Sequence, residues 1–189
     1  MTRDEILEAA TQIFSQKGFH ATSMQDIAEA VNLQKASLYH HISSKQEILV
    51  EVLDRAIDLL IERMQEVMAL PLPSDEKLRR AMQVYLCSLL EHRDVAAVLL
   101  LEHRSLEPEL LARHIPRRDR FEGLWRELLQ EGLSTGFFDC ADPALASRAL
   151  LGVVNWTITW YRPDGSLSAE MIANQFTDIF LHGLLTRSD

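Results

Sequence analysis

Residues 30–46 contain no acidic side chain, although the chain of 189 residues carries a formal net charge of −9. Within this segment stand Lys35, the small residues Ala36 and Ser37, and then Tyr39 and His40. Small side chains allow a helix backbone to approach another molecule closely, and ammonium, hydroxyl and imidazole groups bind phosphates and base edges. An acid at this place would be repelled by DNA. These residues therefore favour contact with duplex DNA; the alternative is an ordinary helical hairpin whose polar residues are solvated.

Two short predicted helices position these residues. The first is capped by Thr22 or Ser23, with the amide or acid three residues later returning the capping hydrogen bond. The second begins at Lys35 and reaches about residue 41. The turn of residues 32–34 between them gives the spacing of a helix-turn-helix, in which the second helix enters the major groove.

The rest of the chain also has helical periodicity. Apolar residues recur three and four positions apart, and the glycines and prolines fall at the joints between such stretches. This pattern predicts an all-α fold of about nine helices, including a long one that starts at Ser44 and ends near residue 69. Pro116 fits the first turn of a helix that runs to about residue 135, so residues 108–114 are expected to form a separate helix before it.

The composition excludes several other classes of protein. No window approaches the ~20 apolar residues of a membrane-spanning helix, and the first residues lack the features of a secretory signal. The two cysteines, Cys87 and Cys140, have no metal-binding or redox spacing. We therefore expect a cytoplasmic protein with no membrane partner. The chain also has no nucleophile, phosphate-loop or metal-binding motif, so we expect no enzyme activity, cofactor or metal site.

The run TSMQDIAEAVNLQKASLYHHISSKQEIL, with ILEAATQIFSQKGF before it, resembles the DNA-binding domain of the TetR family of bacterial transcriptional regulators. The resemblance covers about residues 6–49 without an insertion. It implies a helix-turn-helix domain over residues 1–46 and a ligand-binding and dimerisation domain over residues 47–189. Two positions depart from the family pattern. Ile42 stands where the family usually has Phe, and Asn32 stands in a turn where a Gly is common; Asn can take the same left-handed conformation.

The resemblance also implies which residues contact DNA. Tyr39 and Lys45 are expected at phosphates, which position the protein, and the groove contacts that specify sequence are expected from Lys35, Ala36, Ser37 and His40. Ser23 is a further expected contact. For His41, a packed or solvated side chain is as compatible with the sequence as a contact.

Large side chains concentrate between the first domain and the last helices. Ligand pockets are mostly apolar and aromatic, so the candidate ligand-binding residues are Tyr85, Leu99, His103, Phe121, Trp125, Trp156 and Trp160. A plain hydrophobic core is the alternative. The run VVNWTITWYRPDGSLSAEMIANQFTDIFLHGL resembles TetR-family members that sense acyl-CoA thioesters. A basic cluster of Arg113, His114, Arg117, Arg118 and Arg120 could meet nucleotide phosphates, or it could be a solvated face.

A single short helix contacts too few base pairs to be selective, so a homodimer on a palindromic operator is expected. The candidate seam in the last helix consists of Ile172, Phe176, Ile179 and Gly183, and the helix before it offers Ala146, Ala149, Gly152 and Val153. These stripes could instead close the core of one chain. Together these features predict a repressor released by a small apolar ligand such as an acyl-CoA. An unrelated drug-like effector, or a helical protein-interaction module, is the alternative.

Overall fold

The computed structural model describes residues 2–182, and within this range all regular secondary structure is helical. The predicted all-α fold is thereby confirmed. The nine α-helices of this range are α1 Arg3–Lys17, α2 Met24–Ala30, α3 Lys35–Leu38, α4 Lys45–Met68, α5 Ser74–Glu91, α6 Arg93–Leu101, α7 Pro108–Ser134, α8 Pro143–Trp160 and α9 Ala169–His182. No helix among the described residues is long and apolar enough to cross a membrane.

The helices form two compact units. The first contains the described residues up to Leu59 together with His92–Arg118, and α1 packs in it against both α2 and α6. Its fully buried side chains include Ile6, Phe14, Ile27, Leu38, Ile42 and Leu49. Leu38 and Ile42 therefore hold α3 and the segment after it against the core, and the smaller Ile42 is accommodated where Phe is usual.

Local hydrogen bonds fix the helix-turn-helix as the sequence predicts. Of the two possible caps, the structure uses Ser23: its Oγ accepts from the Asp26 backbone N–H at 3.1 Å, and the Asp26 carboxylate accepts from the Ser23 backbone N–H at 2.6 Å. Asn32 has φ 53°, the left-handed conformation expected for this turn. The third helix is shorter than predicted, because it ends at Leu38 and residues 39–41 continue as a turn.

The second unit contains Leu60–Glu91 and the described residues from Asp119 onward. In it α5 packs against α8 and α9. Its buried side chains include Met82, Leu86, Leu89, Trp125, Leu128 and Val154. Both α4 and α7 are single helices that contribute residues to both units.

The prediction of two helices on either side of Pro116 was wrong. Residues 108–134 form one helix with Pro116 in its interior, where the ring removes a backbone donor at a typical cost of about 3 kcal/mol. The flanking side chains explain why the helix continues. His114 is fully buried in the first unit and Trp125 in the second, so each half is held by its own packing.

Candidate DNA-binding surface and candidate effector site

The candidate DNA contacts lie together on one surface of the first unit. Lys35, Ala36, Tyr39 and His40 are exposed, and Ser37 is half-buried. No acidic residue interrupts the run from α3 to the start of α4. The arrangement leaves the ammonium of Lys35 on α3, and the phenol of Tyr39 and the imidazole of His40 on the turn after it, available to another molecule. The buried Leu38 anchors this segment in the core.

Arg3 stabilises this surface through the turn after α3, whose residue His41 it contacts. Its guanidinium donates to the His41 carbonyl oxygen at 2.5 Å, to Glu47 Oε1 at 2.6 Å and to Glu51 Oε2 at 2.5 Å. The hydrogen bonds from Glu51 and Glu47 raise the pKa of Arg3 above its ordinary value. Arg3 therefore ties the start of α1 to the turn after α3 and to α4. No local pattern in the sequence indicated this role, because the partners are distant along the chain.

Ser44 caps the start of α4, and Glu47 accepts a hydrogen bond from the preceding Ser43. Ser44 Oγ accepts from the Glu47 backbone N–H at 3.0 Å, and the Glu47 carboxylate accepts from the Ser43 backbone N–H at 2.8 Å. The hydrogen bonds from Arg3 and then Ser43 lower the pKa of Glu47 to about 2. Glu47 thus stays ionised well below neutral pH and links Arg3 to the helix start.

Lys45 and Ser23 have internal partners in addition to any they would have on DNA. Lys45 Nζ donates to the carbonyl oxygens of Phe19 at 2.7 Å and Thr22 at 2.6 Å, and it lies 4.3 Å from the centre of the Phe19 ring. Burial lowers the pKa of Lys45. One of the three ammonium hydrogens remains for a phosphate. Ser23 Oγ donates to Asp26 at 2.7 Å, so its first role is to cap α2.

Three of the candidate ligand-binding residues form an aromatic cluster in the second unit. The ring of Tyr85 lies 5.1 Å from that of Phe121 and 5.7 Å from that of Trp125, and the last two are 6.3 Å apart. The Tyr85 hydroxyl donates to Asn155 Oδ1 at 2.6 Å. Trp125 is completely buried, yet its Nε1 has no hydrogen-bond partner among residues 2–182. Leaving a buried donor unpaired costs about 1–3 kcal/mol.

A narrow cavity adjoins this cluster. It has a volume of about 10 Å³ and is lined by Leu60, Arg63, Met64, Ala81, Val84 and the three aromatic residues. This is about the space that one water molecule occupies. On the same two helices, α4 and α5, an open groove of about 300 Å³ is lined by Arg63, Glu66, Arg80, Gln83, Val84 and Cys87. Arg63 and Val84 line both spaces.

The other four candidate ligand-binding residues lie elsewhere. Leu99 is buried and His103 half-buried in the first unit, where burial lowers the pKa of His103. Trp156 and Trp160 stand on the outer face of α8, with 66% and 41% of their surface exposed, and not in the aromatic cluster. Helical periodicity could not distinguish this face from an interior one, because both are apolar.

The basic cluster is partly neutralised within the chain. His114 Nδ1 lies 2.7 Å from Asp54 Oδ1, and Arg117 binds Asp58 at 3.0 Å. Arg120 pairs with Glu127 at 2.7 Å. This arrangement favours a structural role for most of the cluster. Within the part of the chain that the structure describes, no group of three His, Cys, Asp or Glu residues could hold a metal ion.

The fold and this surface define a helix-turn-helix regulator, and comparison with known proteins identifies its family. Residues 6–52 match "Bacterial regulatory proteins, tetR family", and residues 71–184 match "Tetracyclin repressor-like, C-terminal domain". The chain belongs to the TetR family, as the resemblance implied, and is thus a regulatory protein rather than an enzyme.

Individual relatives cover nearly the whole chain. The HTH-type transcriptional repressor KstR2 of Mycolicibacterium smegmatis is 32% identical over an alignment length of 190 residues. The alignment covers 96% of this chain and 90% of that protein. The structure of the TetR family regulator PfmR from Thermus thermophilus matches with a TM-score of 0.90 and 40% identity, covering 97% and 100% of the two chains. The structure of AibR in complex with isovaleryl coenzyme A and operator DNA matches with a TM-score of 0.86 and 30% identity, covering 95% and 97%.

Proposed function

We propose that this protein is a cytoplasmic transcriptional repressor that binds a palindromic operator and leaves it when a small effector with an apolar part, such as an acyl-CoA, binds. The exposed, acid-free surface of α3 in a TetR-family fold carries the proposal. The relatives support it: KstR2 is named a transcriptional repressor, and AibR was solved with isovaleryl coenzyme A and operator DNA. In this proposal, residues 1–46 are the DNA-binding domain and residues 47–189 bind the effector and form the dimer.

The proposed contacts follow from where the side chains lie. The exposed Lys35, Ala36 and His40, with Ser37, enter the major groove and specify the sequence. Tyr39 binds a phosphate, as does Lys45 through its remaining hydrogen. Ser23 contributes at the start of α2, where its side chain is already exposed.

The proposed dimer uses the exposed apolar face of α8 and α9. Ala149, Gly152 and Val153 are exposed on α8, as are both Trp156 and Trp160, and Ile179 is exposed on α9. Large exposed apolar patches of this kind mark interaction sites. From the expected seam, Ile172 is buried within its own unit and Phe176 is half-buried, while Gly183 lies outside the described residues. We therefore assign Trp156 and Trp160 to the dimer and keep Tyr85, Phe121 and Trp125 as effector contacts.

A mobility-shift assay on a palindromic duplex from the promoter beside its own gene tests the proposal. We expect binding at low salt that weakens as salt rises, because phosphate contacts release counterions. Absence of binding at low salt would contradict the DNA-binding role and would favour the protein-interaction module.

The role of Tyr39 is tested by Tyr39→Phe. We expect a several-fold loss of affinity on all duplexes alike, because one hydrogen bond to a phosphate, worth about 0.5–1.5 kcal/mol, is removed. Tyr161→Phe, on the second unit, is the matched control and should leave operator binding unchanged. A changed sequence preference in Tyr39→Phe would assign this residue to base contacts instead.

A further inference from the structure

We propose that Arg63 is the anion-binding residue of the effector site: it binds a carboxylate or phosphate of an amphiphilic effector whose apolar body enters the aromatic cavity. The inference rests on the proposed function and deepens it, because it names the chemical class of the effector and the residue that selects it.

The surroundings of Arg63 favour an anionic ligand. Its side chain is half-buried, and Nη1 donates to Ser88 Oγ at 2.5 Å. Within residues 2–182 it forms no ion pair, unlike Arg3, Arg55, Arg117 and Arg120. A cation withdrawn from water without a counterion is unfavourable, and an anionic ligand oxygen would compensate it. The neutral serine hydroxyl is a weaker partner that such a ligand can replace.

The two spaces beside Arg63 differ in polarity. The open groove contains Arg80 as well, which is exposed and without an ion pair in the described part of the chain, and a single acid, Glu66. Its volume of about 300 Å³ suits a polar headgroup. The narrow cavity on the other side is apolar and aromatic. A ligand that used both would be charged at one end and apolar at the other, with Arg63 between the two parts.

The indole of Trp125 offers a hydrogen-bond donor, Nε1, that has no acceptor in the described part of the chain. Buried polar groups are nearly always hydrogen-bonded, so an exception indicates an absent partner such as a ligand or a water molecule. Trp125 lines the cavity. An effector with a carbonyl oxygen inside its apolar part, as in an ester or thioester, would supply the acceptor. The cavity must widen to admit it, and displacement of Arg63 from Ser88 would open the boundary that it shares with the groove.

Calorimetric titration with three probes that share an eight-carbon acyl chain tests the inference on the full-length protein. Octanoate offers a carboxylate, octanoyl-coenzyme A offers a thioester and phosphates, and methyl octanoate is neutral. Wild type is compared with Arg63→Gln and with Arg126→Gln. Arg126 is exposed on α7 and has no ion pair among the described residues, so its variant loses the same charge elsewhere.

We expect at least one anionic probe to bind wild type and Arg63→Gln to weaken it tenfold or more, which corresponds to about 1.4 kcal/mol. Arg126→Gln should bind as wild type does, and methyl octanoate should not distinguish the three proteins. Binding of octanoate assigns the recognised group as a carboxylate, and binding of octanoyl-coenzyme A alone assigns it as a phosphate. Arg63→Lys keeps the charge and should retain part of the affinity. This variant also provides the comparison if Arg63→Gln fails to fold.

Unchanged anion binding in Arg63→Gln, an equal loss in Arg126→Gln, or no binding of any probe to wild type would overturn the inference. The mobility shift of the same preparations separates this from failure of the proposed function. If wild type and Arg63→Gln both bind the operator, the DNA-binding role stands and only the role of Arg63 is lost. If wild type does not bind the operator, the proposed function itself fails.

Discussion

Arg3 shows how one side chain can support a binding surface that it does not join. It connects the turn after α3 to α1 and α4 through His41, Glu47 and Glu51. We expect Arg3→Gln to lower the free energy of unfolding by about 1 kcal/mol, since the guanidinium is partly exposed and water screens the ion pairs. Operator affinity should fall as well, because the turn loses its anchor. Arg93→Gln, exposed and without an ion pair in the described range, is the control.

The effect of Arg3 depends on pH because Arg3 lowers the pKa of both of its carboxylate partners, Glu51 and Glu47. Because the folded-state pKa of Glu47 is depressed to about 2, its contribution to stability is fully present above its ordinary pKa of 4.5. It is lost as pH falls from 4.5 towards 2. The difference in unfolding free energy between wild type and Arg3→Gln, measured by urea titration, should therefore shrink over this interval. A difference that stays constant down to pH 2 would show that Arg3 acts without its pairs to Glu47 and Glu51.

The residues predicted correctly are those whose partners are close in the sequence. Ser23 and Asp26 are three residues apart, and the conformation of Asn32 follows from the turn alone. Arg3 could not be predicted, because its acceptors are 38, 44 and 48 residues away. The same limit applies to Lys45, which the family pattern places at a phosphate but whose carbonyl partners are 23 and 26 residues distant.

Among the elements, the end of α7 shows a close approach that the sequence did not indicate. A Cβ at Gly132 would lie 2.0 Å from Cδ2 of Phe138, so this ring packs directly on the helix backbone. We expect Gly132→Ala to destabilise the protein by about 1–3 kcal/mol in thermal unfolding, because the ring must move. Gly123→Ala on the same helix would meet only Arg126 Nη2 at 3.8 Å and should be neutral or stabilising. Equal effects would contradict this packing argument.

The unbroken α7 also marks where sequence rules fail at the level of elements. Pro116 normally signals a helix start, and the prediction followed that rule. Buried side chains on both sides of it, His114 and Trp125, outweigh the lost hydrogen bond, and such packing is invisible to local patterns. The long α4 has no such conflict: it was predicted from Ser44 to near residue 69, and it runs from Lys45 to Met68.

For the whole molecule, the exposed apolar face of α8 is the surface that we assign to the dimer. We expect Trp156→Glu to convert the dimer to a monomer in analytical ultracentrifugation and to abolish tight binding to a palindromic operator, since a charge would be buried without a partner. Leu101→Glu is the control, because Leu101 is exposed to a similar extent, 62%, in the first unit. A Trp156→Glu protein that remains dimeric would place the interface elsewhere.

The continuous α4 carries Lys45 near its first turn and Arg63 about five turns later. If effector and operator each favour a different position of this helix, thermodynamic linkage makes their antagonism reciprocal. Operator binding must then lower the affinity of the protein for the effector by the same factor by which effector binding lowers its affinity for the operator. Protein that is free in the cell would consequently bind effector at lower concentrations than protein that is bound to its promoter. The number of copies not bound to DNA would therefore set the effector concentration needed for induction.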